Sequence, residues 1–120
     1  MSKTILVVDD SPNEMKLMQA ALSGQGYNIV TAIDGEQAIL QAVQHKPDLI
    51  LLDVILPKKN GYQVCRYLKT TPELQQSKVI LVTSKNQPSD KFWGMKQGAD
   101  DYLVKPWIET DLLALVQRTL

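Results

Sequence analysis

Two adjacent aspartates, Asp9 and Asp10, close the apolar run ILVV near the start of the 120-residue chain, and a third, Asp53, closes the run LILL. Thr83 and Ser84 follow VILV, and Lys105 follows YLV. Carboxylates gathered about 4 to 5 Å apart repel by roughly 3 to 4 kcal/mol per pair at an effective dielectric near 20, so they require a cation or a proton. Hard carboxylate oxygens select Mg²⁺ or a similar ion, which keeps several waters and takes one or two protein carboxylates plus phosphate oxygens. Lys105 offers a point charge to a phosphate, and the Thr83 hydroxyl can donate to another phosphate oxygen. Each residue also has an ordinary reading. An aspartate after a strand caps the next helix, and Lys105 could be a solvated loop lysine. The set outweighs its members taken singly, because adjacent aspartates ending an apolar strand are costly unless something pairs them.

These residues can meet only if the runs before them are neighbouring strands. Thr4–Val8, Asn28–Ala32, Leu49–Leu52, Val79–Val82 and Tyr102–Val104 are short β-rich or apolar runs suited to strands buried on both faces. Helical spacing fills the intervals: Leu17, Met18, Ala21 and Leu22, then Ala38, Ile39 and Val43, then Val64, Cys65 and Leu68. The fourth helix is expected to turn Phe92 and Met95 inward before Gly98, and the fifth to use Leu112, Leu113, Val116 and Leu120. Ser11-Pro12 and Asp34 read as helix starts, and Gly24, Gly26 and Gly98 as helix ends. Strict βα alternation predicts right-handed crossovers around a five-stranded parallel sheet, a doubly wound (βα)5 fold with ligands at the carboxyl ends of the strands.

Composition narrows the rest. An apolar content of 44% in 120 residues supports one core and one domain over residues 1–120, with no room for a second catalytic or DNA-binding unit. Lysine plus arginine and aspartate plus glutamate both total 13, so no excess of positive charge recommends nucleic acid as a partner. The single cysteine, Cys65, excludes an internal disulfide and falls at core spacing, which predicts a buried thiol in a cytoplasmic protein. The apolar start is too short for a signal peptide or a membrane span.

The motifs ILVVDDSP, PDLILLDVILPKKNGY, VILVTS and GADDYLVKPW, in this order and covering essentially the whole chain, resemble the receiver domain of bacterial two-component response regulators, of the single-domain chemotaxis type. The resemblance implies a flavodoxin-like strand order of 2-1-3-4-5. It makes Asp53 the phosphoacceptor, with Mg²⁺ bound by Asp9, Asp10, Asp53 and the backbone carbonyl of Ile55. Thr83 and Lys105 would contact the phosphoryl group, and a histidine kinase would be the donor. It also implies a Thr83–Tyr102 switch that reshapes the face of the fourth helix, fifth strand and fifth helix, and a cis bond before Pro106. Activity would be phosphoryl acceptance in signalling rather than turnover of a substrate. A monomer or weak dimer is expected, acting by binding another protein or by draining phosphate from a shared kinase.

Three alternatives compete with it. A haloacid-dehalogenase-type phosphatase needs a second aspartate two residues after the nucleophile, where this chain has Ile55. A flavodoxin-like flavin carrier needs a phosphate loop after strand one, where Asp9 and Asp10 would repel the phosphate. A receiver-like docking module that is never phosphorylated normally loses part of the acidic set or the lysine. Apolar Ile55, with Lys85 two residues after Thr83, implies slow autodephosphorylation, since Ile55 cannot orient an attacking water.

Outside the set, Trp93 is either a docking anchor or a side chain folded over a neighbouring helix. Its context DKFWGMKQGADDY is similar to PilH-type twitching-motility and phototaxis receivers. Trp107 reads as a core residue, and His45 as a cation at a helix end. Lys58 and Lys59 could steer an acidic donor or simply fill a solvated turn.

Overall fold

The structure, a computed structural model, describes residues 2–120. Five strands, β1 (Thr4–Val8), β2 (Asn28–Ala32), β3 (Leu49–Leu52), β4 (Lys78–Thr83) and β5 (Asp101–Val104), alternate with five helices. The helices are α1 (Pro12–Leu22), α2 (Gly35–His45), α3 (Gly61–Thr70), α4 (Pro88–Lys96) and α5 (Glu109–Thr119), with a short 3-10 turn at Pro72–Leu74. The sheet is wholly parallel in the order β2-β1-β3-β4-β5, as the alternation and the family resemblance imply. β4 and β5 each extend slightly beyond the apolar runs, taking in Lys78, Thr83 and Asp101.

Successive strand residues point to opposite faces, so the sheet divides the apolar runs between two cores. Leu6, Val8, Ile50, Leu52, Val79 and Leu81 join Val64, Cys65 and Leu68 of α3 on one side. Ile5, Val7, Leu49, Leu51, Ile80 and Val82 join Met18, Leu22, Leu112 and Val116 on the other, against α1 and α5. Each helix start has a local cause. Ser11 accepts from the Glu14 amide ahead of Pro12, Asp34 accepts from the Gln37 amide, and Asn60 with Gln63 forms a reciprocal capping box.

The fourth helix corrects an expectation. Phe92 and Met95 face outward, 63% and 41% exposed, and Gly94 is the residue turned in. A Cβ on Gly94 would stand 2.7 Å from Leu81 Cδ1 and 3.2 Å from the Tyr102 ring. The helix can lie against the sheet there only because that position carries no side chain, which forces the large residues beside it into solvent. Leu17 and Val43 are likewise exposed, because Met15 and Met18 complete the inner face of α1 while Ala38 and Ala42 complete that of α2. Trp107 is half-buried against the α1/α5 core, and Cys65 is fully buried, with desolvation pushing its thiol up to about 12. His45 is the basic residue in the last turn of α2. No described helix is long and apolar enough to cross a membrane.

Gly61 begins α3 directly against the turn that follows β3, where its amide donates to the Val54 carbonyl and a Cβ would collide with the Asp53 backbone carbonyl. Gly61→Ala should therefore lower stability by about 1–3 kcal/mol, the usual cost of overpacking, as read from urea unfolding.

Candidate active site

Register decides which strand ends meet. Val8 lies beside Leu52 in the β1–β3 ladder, and the Asp53 amide donates to the Val8 carbonyl at 3.1 Å, so Asp9 and Asp53 leave the sheet side by side. Thr83 lies beside Val104, and the Lys105 amide donates to the Thr83 carbonyl at 2.9 Å. Strands are spaced by about 4.8 Å, so β5 is roughly 10 Å from β3, a gap that only a long side chain crosses. Lys105 crosses it. Its Nζ stands 2.7 Å from Asp9 Oδ2 and 2.9 Å from Asp53 Oδ2. The peptide bond from Lys105 to Pro106 is cis.

The two carboxylates are held in the same way. Asp9 Oδ1 accepts from the Ser11 amide at 3.0 Å, and Asp53 Oδ1 accepts from the Ile55 amide at 3.1 Å. Each therefore has one oxygen on the backbone and the other on the ammonium. Both are buried, whereas Asp10 is exposed in the turn beside them. Burial raises the Asp9 carboxyl above its ordinary value, outweighing the hydrogen bonds from Lys105 and the Ser11 amide and the Lys105 charge; the Asp53 charge adds slightly to the rise. Burial alone would push the Lys105 ammonium down, but the hydrogen bonds and charges of Asp9 and Asp53 outweigh it and hold the ammonium above its ordinary value.

Thr83 is fully buried at the end of β4, and its Oγ1 accepts from the Lys85 amide at 3.4 Å. Tyr102 is also buried, packed against Gly94, and its hydroxyl donates to the Lys85 carbonyl at 2.8 Å. Desolvation, followed by the neighbouring Tyr62, raises the Tyr102 phenol. Thr83 and Tyr102 thus hold the two sides of one residue, Lys85. Ile55 is exposed at the rim, and Ser84 is exposed beyond Thr83. Lys58 pairs with Glu36 at 3.5 Å, and Lys59 packs against Gly35, so this turn leans on the start of α2.

The response regulator receiver domain model matches residues 5–117. The chain belongs to that family. Receivers are phosphoacceptor signalling domains of two-component systems, with histidine kinases as phosphodonors. The chain is 43% identical to PilH of Pseudomonas aeruginosa over 97% of its own length and 96% of that protein. It is 42% identical to the transcriptional regulator PhoP of Bacillus subtilis, but spans only 49% of that protein. Among solved structures, a sensor histidine kinase receiver from P. aeruginosa, with a magnesium ion coordinated in its active-site cleft, superposes with a TM-score of 0.90 at 29% identity. That match covers 99% of this chain and 98% of the other.

The donor set here suits such an ion in part. Asp9 and Asp53 are close enough to share one cation, as Lys105 shows, and Mg²⁺ needs only one or two protein carboxylates. No three acidic, histidine or cysteine side chains among the described residues form a ready cage. The site accordingly fits a metal completed by water and phosphate oxygens. One participant escapes sequence spacing. Glu14 Oε1 lies 3.3 Å from Lys105 Nζ, and its signal is its place three residues after the Ser11 cap, on the helix turn above the strand ends.

Lys105→Met should leave two buried carboxylates facing each other and cost about 3 kcal/mol at neutral pH, measured by chemical unfolding in chelator. The Asp9 carboxyl is raised in the fold, so the native state holds its proton to higher pH than the unfolded chain does. The deficit of the variant should consequently be full at neutral pH and shrink as pH falls through that raised range.

Proposed function

We propose that the chain accepts a phosphoryl group on Asp53 from the phosphohistidine of a kinase in the cytoplasm, and signals to a motility system of the pilus, twitching or phototaxis kind. The single observation that carries the chemistry is the Lys105 ammonium spanning Asp9 and Asp53 at adjacent strand ends. A carboxylate oxygen of Asp53 attacks phosphorus, the phosphorus–nitrogen bond to the donor imidazole breaks, and an acyl phosphate forms. Lys105 holds the Asp53 carboxylate in place for that attack and meets the charge of the arriving phosphoryl oxygens. Asp9 and Asp53 would hold Mg²⁺, and Asp10, exposed beside them, and the Ile55 carbonyl would complete its ligand set with water and phosphate oxygens; the bound ion would supply the remaining charge neutralisation. Thr83 is the hydroxyl donor to the phosphoryl group.

The route outward runs through the Thr83–Lys85–Tyr102 contacts to Gly94 and so to α4. The reading surface is the face of α4, β5 and α5 together with Trp93, which is 53% exposed and free of the core. The motility assignment rests on the likeness to PilH across nearly the whole of both chains.

Incubation with Mg²⁺ and acetyl phosphate, followed by intact mass measurement, should show one acid-labile phosphoryl adduct, lost in Asp53→Ala. An adduct that survives Asp53→Ala would overturn the assignment. Ile55→Asn should shorten the life of the adduct, by less than the ~100-fold of full general acid–base catalysis, because an amide orients water without taking its proton. An unchanged decay rate would exclude Ile55 as the cause of slow hydrolysis.

A further inference from the structure

Three carboxylates converge on the Lys105 ammonium: Asp9 at 2.7 Å, Asp53 at 2.9 Å and Glu14 at 3.3 Å. They differ in how firmly they are held. Asp9 and Asp53 are buried, and each is tied to the backbone through its second oxygen. The Glu14 side chain is 35% exposed and has no other hydrogen-bond or ion-pair partner among the described residues. Its backbone is fixed by the Ser11 cap, so it is delivered to Lys105 by the helix start while its carboxylate stays free to swing. With Leu17, Pro106 and Trp107 it lines a cavity of about 120 Å³, which leaves space beside it for that movement.

The geometry points to Glu14 as a releasable restraint on Lys105, a positioning residue that shares the ammonium while Asp53 is free and yields it when a phosphoryl oxygen arrives. Resting on the receiver reading above, it adds a competitor that lies outside the acidic set. A phosphoryl group brings further negative charge to a lysine with three N–H donors. Of the three anions already there, Glu14 is the farthest and the most exposed, and moving it disturbs no core contact. Its displacement opposes every anion that binds at Asp53.

The test is calorimetric titration of beryllofluoride, a phosphoryl mimic, into the Mg²⁺-loaded wild type, Glu14→Gln and Glu14→Asp. Glutamine removes the charge. Aspartate keeps it in the first helical turn but withdraws it beyond ion-pair reach. Both variants should bind beryllofluoride about two- to fivefold more tightly than wild type, the scale of a partly exposed ion pair. A merely structural role would give the opposite sign, weaker binding in both. Unchanged or weaker binding in either variant overturns the restraint; tightening in glutamine alone assigns the effect to diffuse charge and overturns the direct contact. If none of the three proteins binds beryllofluoride, the receiver reading itself fails, and the proposal with it.

Discussion

A single ammonium group neutralises two buried carboxylates at the ends of neighbouring strands, and the geometry of the site is built around that contact. Without Lys105, Asp9 and Asp53 would face one another in a partly desolvated setting where like charges repel by several kcal/mol. With it, each carboxylate can be anchored to a backbone amide and still present an oxygen toward incoming chemistry. The site is not thereby relaxed, since burial leaves the Asp9 carboxyl above its ordinary value. A cation or an anion-bearing metal complex thus enters a place where charge is already unevenly compensated, which is the electrostatic basis of the proposed function.

That contact depends on strand order more than on any local feature. β1 and β3 are adjacent, which brings Asp9 and Asp53 together, while Lys105 lies two strands beyond Asp53 at the sheet edge. Only a long, flexible cation reaches across β4 to both acids. The same edge position leaves Tyr102 next to α4, which sits close because Gly94 has no side chain. Changes at Thr83 and changes in the packing of α4 are joined through the amide and carbonyl of Lys85. The outward turn of Phe92 and Met95 follows from the same close approach, and with Trp93 it leaves three large apolar side chains exposed on this helix.

The shorter-range order was legible in the chain itself. Buried parallel strands require uninterrupted apolar runs, helix starts require caps, and both leave marks within a few residues, as at Ser11-Pro12, Asp34 and LILL. The strand-end acids and lysine were legible for the same reason: a polar group terminating an apolar run stands out. The inner face of α4 was not, because hydrophobicity predicts which residues prefer burial but not how closely two backbones approach. At Gly94 that distance overrides the preference of Phe92 and Met95.

By itself, then, the sequence determined the elements, their alternation, the two-sided sheet and the residues at its carboxyl edge, since these rest on local periodicity and composition. Only the tertiary structure decided that Lys105 bridges Asp9 and Asp53 rather than meeting solvent, that Asp10 stays outside this bridge, and that Glu14 joins it. These outcomes depend on register and on distances of a few ångströms between residues as many as 96 positions apart. Coulombic energy is steep at that range, and no pattern along the chain encodes it.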